Sequence, residues 1–299
     1  MFTRFTPYTH IFLAIYYIVI SQIFITNSFF IYWIIIEVLI LLFMGFRYTL
    51  FYNRYTQLIL YFLFQTLGSF RIIVAYLFSL KYFLLFSVFF KLGIFPFYSW
   101  YINVLYRFPN PRILLASTWH KLPPLFIFYL VLDRRILSFI FIFITLTVIV
   151  SSVFMMSIYN IRYLVIVSSI GNNAFLLLAL IRERFRVFIL FYIIYYIAIR
   201  LILKTFRQIR THNYSANPSL GWDRFIIFFV MFNIASLPPL PVFIGKFLVL
   251  FNCISVYTNH SIYLLLIVLI NVIIIVSYVN ITFKYIINVY TNSSHYFLY

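Results

Sequence analysis

Across 299 residues, 66% are hydrophobic, 24% aromatic and 9% charged, whereas a soluble domain is about 45–50% apolar and about 25% charged. No soluble core could hide this much apolar surface, so lipid must be the solvent and a soluble globular protein is excluded. The 22 Lys and Arg against four acids give a formal charge of +18. These bases fall mostly between apolar runs, where they read as topology signals and contacts to anionic headgroups rather than to nucleic acid.

Apolar runs long enough to cross about 30 Å, roughly 20 residues each, number about eleven. They cover 8–26, 29–46, 56–79, 82–101, 112–131, 136–156, 161–180, 186–206, 224–240, 241–258 and 261–284. Polar segments punctuate them: FRYTLFYNRY, YRFPNPR, LDRR, YNIR, IRERFR and, longest, RQIRTHNYSANPSLGWDR. With no soluble domain and no short-period repeat, the expected architecture is an all-α membrane protein, one polytopic transmembrane domain over residues 1–299. Counted by side, ten bases share the face of the N-terminus and seven the other, which favours an inner-face N-terminus.

One cysteine, no metal-spaced histidine pair, no GxGxxG and no P-loop leave no motif for a metal or redox cofactor. The chemistry-bearing residues are instead six ionisable groups inside apolar runs: Glu37, Arg71, Lys91, Lys121, Arg200 and Lys246. An intramembrane charge costs about 2.5–3.5 kcal/mol on insertion scales and marks a functional site by default. Arg71 and Arg200 have no helix breaker beside them and read as side chains that snorkel to the interface. Glu37 is different, because its stem is short and it sits about 12 Å into its helix at 1.5 Å per residue. It is either protonated or paired with a base inside the membrane.

Each lysine stands near prolines: Lys91 before Pro96, Lys121 before Pro123 and Pro124, and Lys246 after Pro238, Pro239 and Pro241. Proline removes a backbone donor and clashes with the carbonyl four residues back, so each site should break or kink its helix. Carbonyls freed at the break are expected to accept from the lysine ammonium, together with water drawn to the break. Lysine protonation responds to burial and to a neighbouring carboxylate, so a row of such lysines with one acid could pass or store protons. The alternative is kinked helices whose charges serve packing specificity.

KLGIFPFYSW, STWHKLPPL and SLPPLPVFIGKF, in that order and spacing, resemble signature segments of the antiporter-like membrane subunits of mitochondrial NADH:ubiquinone oxidoreductase, respiratory complex I. The family is related to large subunits of multisubunit Na+/H+ antiporters. WIIIE at 33–37, YFLFQTLGS at 61–69 and NIRYLVIVSSIGNN at 160–173 extend the resemblance from about residue 30 to 250. It implies an antiporter-like fold with two discontinuous helices. It further implies that Glu37 pairs with Lys91, that Lys121 is the central lysine of a proton pathway, and that Lys246 is the terminal lysine on the second discontinuous helix. Asn172 and His120 are candidates for a polar relay, although the family commonly has a histidine at the position of Asn172, and Leu60 stands where a lysine is often found. The chain begins about three helices into the family's full-length pattern, and a separate chain could supply the missing helices.

The function implied is proton translocation coupled to quinone reduction elsewhere in the complex, with no cofactor on this chain. NADH, FMN, iron–sulfur clusters and ubiquinone would belong to other subunits. Implied partners are neighbouring antiporter-like and accessory subunits and phospholipids such as cardiolipin. Abundant Phe, Tyr, Ile and Asn point to AT-rich codons, and the N-terminus lacks a cleavage site or presequence pattern. Both fit a protein made inside the organelle and placed in the mitochondrial inner membrane. A cation/proton antiporter outside the respiratory chain and a non-pumping structural subunit are the competing readings.

Overall fold

The computed structural model describes residues 7–26, 28–45, 55–157, 160–181, 185–212, 220–255 and 260–294. Arg4, Arg47, Arg54, Arg182, Glu183 and Arg184 lie outside the described residues. All regular structure among those described is helical, as a backbone in lipid requires, because a helix satisfies its own peptide groups. Small polar residues are accommodated by the same device: the hydroxyls of Ser87, Thr147 and Ser169 donate to carbonyls one turn back.

The chain forms two compact units, residues 1–140 and 141–299. The first contains α1 (Pro7–Ile25), α2 (Phe29–Gly45), α3 (Tyr55–Leu77), α4 (Lys81–Leu92), α5 (Tyr98–Leu105), α6 (Asn110–Ser117) and α7 (Leu122–Val131). Within it α2 packs on α1, α3 and α7, while α4 packs on α3 and α7. Phe43, Phe89, Phe108 and Phe128 fill its core. The second unit holds most of α8 (Leu137–Ser157), then α9 (Ile161–Ile181), α10 (Phe185–His212), α11 (Leu220–Ala235), α12 (Pro241–Ile254) and α13 (Ser261–Ser294). Every residue of α9 from Leu164 to Ile181 is buried, so α9 is the central helix of this unit. It packs against α10 and α12, and α11 packs against α10, α12 and α13.

Helices α3, α8, α9, α10 and α13 are each long and apolar enough to cross a membrane. The spans expected at 82–101 and 112–131 are each broken into two helices, α4 with α5 and α6 with α7. A third break, at 236–240, separates α11 from α12. The prolines restart helices more than they stop them. Pro123 and Pro241 lie in the first turns of α7 and α12, where a missing N–H costs nothing. α4 stops at Gly93, whose left-handed backbone (φ 67°) lets Ile94 N–H bond the Phe89 carbonyl at 3.0 Å. That is a glycine helix cap, three residues before Pro96.

Candidate functional site

In the first unit, Lys91 occupies the last turn of α4 and is 3% exposed. Its stem lies across the Cα of Gly68 on α3: a Cβ built there would stand 2.6 Å from Lys91 Cγ and 3.1 Å from Cε. A methyl group there would collide with the lysine stem, so glycine at this crossing lets the stem lie against α3 in its present position. The Lys91 ammonium makes no hydrogen bond within the protein. This corrects the expectation that freed carbonyls solvate it. The Phe89 carbonyl is taken by the cap, and the Phe90 carbonyl accepts from Gly93 N–H and, at 3.1 Å, from Trp100 Nε1. Glu37, half-buried on α2, acts on Lys91 through its field without a direct ion pair.

His120 and Lys121 lie in a short 3-10 turn, Trp119–Lys121, between α6 and α7, and both are buried. The His120 ring sits among Phe43, Tyr16 and Tyr61, with centroids at 4.7, 5.6 and 5.9 Å. Its Nε2 has no hydrogen-bond partner, and it is close enough to Lys91 to feel that charge. The Lys121 ammonium lies 5.0 Å from the centre of the Tyr101 ring on α5, within cation–π range. Tyr101 also packs on Gly93, where an added Cβ would fall 2.7 Å from Tyr101 Cβ. One tyrosine therefore braces both the α4–α5 break and Lys121.

In the second unit, Lys246 lies one turn inside α12 and is 7% exposed. Its ammonium donates to Ser236 Oγ at 2.8 Å and to Asn271 Oδ1 at 3.4 Å, and stands 4.9 Å from the Phe175 ring centre. Ser236 belongs to the α11–α12 break and has a left-handed backbone, φ 60°. Here the break supplies a hydroxyl rather than a carbonyl. Lys246, Asn172, Ser168 and Tyr278 line one small cavity, about 10 Å³ for the centre of a water-sized sphere. That is room for about one water.

The structure thus brings Glu37, Lys91 and His120 into one electrostatic cluster in the first unit, with Lys121 beside His120 in the chain. It brings Lys246 and Asn172 together in the second. Pro96, Pro238 and Pro239 are exposed or partly so within the breaks, and Pro123 and Pro124 are buried at the start of α7. Arg71 and Arg200 are exposed, Arg71 with its guanidinium 4.9 Å above the Phe90 ring. Gly68, Tyr101, Ser236, Asn271 and Tyr278 were missed in the sequence. Only Gly68 carried a signal, as the lone glycine in an otherwise bulky helix. Among the described residues no three of His, Cys, Asp and Glu gather as a metal site would require.

Outside the spans, Lys81 at the start of α4 pairs with Asp133 at 2.9 Å. The Lys81 hydrogen bond, then that from the Arg135 backbone N–H, holds the Asp133 carboxyl below its usual range.

Residues 27–274 match the transmembrane family described as NADH:quinone oxidoreductase/Mrp antiporter. Among solved structures the chain is similar to one from the respiratory complex I of Thermus thermophilus with bound aureothin, at 18% identity and a TM-score of 0.71. That match covers 86% of this chain and 66% of the other. It is also similar to a chain of a membrane-bound sulfane sulfur reductase, an archaeal respiratory membrane complex, at 14% identity and a TM-score of 0.66. There it covers 85% of this chain and 61% of the other. The chain therefore spans just under two-thirds of each structure, and at these identities the likeness is one of fold. No curated protein sequence matches it.

Proposed function

Because the chain belongs to the NADH:quinone oxidoreductase/Mrp antiporter membrane family, we propose that it is a proton-translocating core subunit of the membrane arm of respiratory complex I. Its signature segments resemble subunit 2 of the mitochondrial enzyme. The observation that carries the reading is the burial of three lysines, each at or within two turns of a helix break and each turned into its unit's core. A scaffold would have no need to desolvate three ammonium groups whose long stems could reach headgroups instead.

On this reading Glu37 and Lys91 form a charge pair whose coupling strengthens or weakens as protons move. Lys121 is the central carrier, and Lys246 exchanges protons within the second unit, with Asn172 holding water rather than titrating. Redox cofactors sit on other subunits, and the partners are the remaining membrane-arm chains and phospholipids of the mitochondrial inner membrane, with the N-terminus on the matrix side. A second reading has the likeness to the archaeal sulfane sulfur reductase on its side: the same ion-translocating module in a different membrane complex. Purifying the native complex through this chain separates the two. Bound flavin with NADH:quinone activity supports the complex I assignment, and a complex without either supports the second.

A further inference from the structure

Helix α13 packs on α11 and α12, the two helices that flank the third break. Its residues Leu264, Ile267, Asn271, Ile274 and Tyr278 recur at three and four residues and so share one stripe; all but the part-exposed Asn271 are buried. Asn271 is where that stripe meets Lys246, its Oδ1 accepting from the ammonium at 3.4 Å. The orientation of the amide follows from its two neighbours. Nδ2 donates to the Ile267 carbonyl one turn back at 2.7 Å, which leaves Oδ1 toward the lysine. A flipped amide would set its N–H groups against an ammonium that can only donate, and its oxygen against a carbonyl oxygen. One orientation alone serves both neighbours, so the helix itself aims the acceptor. Asn233 makes the contrast: its Oδ1 accepts from the Val242 backbone N–H at 3.4 Å, a bond to the start of α12 and not to the lysine.

Among the described residues no carboxylate lies within ion-pair distance of Lys246. Its charge faces neutral groups instead: Ser236 Oγ at 2.8 Å, Asn271 Oδ1 and the ring of Phe175. A hydrogen bond from a charged donor is about twice as strong as one between neutral groups, so oxygen acceptors in this place favour the proton-bearing lysine. Because they are neutral, they hold it without the buried ion pair that a carboxylate would form and that is costly to break. We propose that Asn271 is a positioning residue for proton transfer at Lys246: with Ser236, its amide oxygen seats the ammonium at the α11–α12 break and ties α13 to the charge of the lysine. The proposal rests on the reading of Lys246 as a proton carrier and adds to it a neutral seat built from two elements, the break and α13. Asn271 itself neither gains nor loses a proton; it fixes the place from which the ammonium proton departs.

The test compares Asn271→Leu with Asn271→Gln in the intact membrane complex. Leucine keeps the size of the side chain and removes the acceptor; glutamine keeps an amide oxygen, and the part-exposed site has room for one more methylene. Expected for Asn271→Leu are normal assembly, an unchanged apparent KM for quinone and a proton-pumping turnover lowered about ten-fold, roughly what one hydrogen bond to a charged group is worth. Asn271→Gln should recover most of that turnover. Wild-type pumping by Asn271→Leu overturns the proposal, and so does an Asn271→Gln complex as slow as the leucine variant, since side-chain volume and not the amide oxygen would then be what matters. Lys246→Met run in parallel separates the two levels. If it stops pumping while Asn271→Leu pumps normally, only the role of Asn271 is wrong; if Lys246→Met also pumps normally, the reading of Lys246 is wrong. Should Asn271→Leu fail to assemble, a map of the wild-type complex decides: Asn271 Oδ1 within hydrogen-bond reach of Lys246 Nζ supports the proposal, and an amide turned away from the lysine overturns it.

Discussion

Gly68→Ala adds one methyl group where α3 carries the Lys91 stem. The structure places that carbon 2.6 Å from Lys91 Cγ, whereas carbon atoms rest about 3.5–4.0 Å apart. Something must retreat by about 1 Å, and a lysine stem yields more cheaply than either helix backbone. Overpacking of this kind costs about 1–3 kcal/mol, offset by the ~1 kcal/mol that alanine gains over glycine inside a helix. The net change in stability should stay within about 2 kcal/mol, so the complex should assemble. Function should suffer more, because a displacement near 1 Å at a reacting group can cost about 100-fold. Pumping by the purified complex in proteoliposomes, read from quenching of a pH-sensitive dye, should fall about 10- to 100-fold. A map showing Lys91 displaced while pumping continues at the wild-type rate would refute the claim that its position matters.

Other perturbations follow from the same geometry. Ser236→Ala removes the 2.8 Å acceptor of a buried ammonium; the complex should lose about 1–3 kcal/mol of stability, measured by thermal unfolding, and its pumping should slow, whereas an unchanged melting curve would mean the bond is idle. Tyr101→Leu takes away the ring facing Lys121, worth about 0.5–2 kcal/mol, and should slow pumping more than Phe97→Leu, a neighbouring aromatic not placed against a lysine. Lys81→Met should return the Asp133 carboxyl toward its usual range in an infrared titration. Because that carboxyl is held down in the folded chain, the pair contributes above the ordinary carboxylate range and its contribution fades as pH falls; the site is exposed, so pumping at neutral pH should not change.

The helical spans were legible because lipid imposes both length and apolarity, and α1, α2, α8 and α9 lie within a residue or two of the expected boundaries. The breaks were legible as regions through their prolines, but their limits were not. Gly93 stops α4 by adopting a backbone that only glycine takes readily, and Pro123 and Pro241 begin helices. The lysines stood out because charge is scarce in such a chain. What surrounds them did not, since each neighbour comes from a distant helix: Gly68 for Lys91, Tyr101 for Lys121, Asn271 and Ser236 for Lys246. A single Asn or Tyr in an apolar helix carries no sequence signal of which way it faces. At Lys91 the freed carbonyls expected from the sequence are not free, because a well-formed helix cap consumes those that a frayed end would have left open.

The central claim, that buried lysines carry protons through this chain, meets its most direct test at Lys121, which lies in the core with its ammonium against the Tyr101 ring. The measurement is the initial rate of acidification of proteoliposomes containing the intact complex with Lys121→Met, driven by its electron donor and normalised to assembled protein. The account predicts a complex that assembles and melts normally while acidification falls to background. Acidification at the wild-type rate by that complex would contradict it.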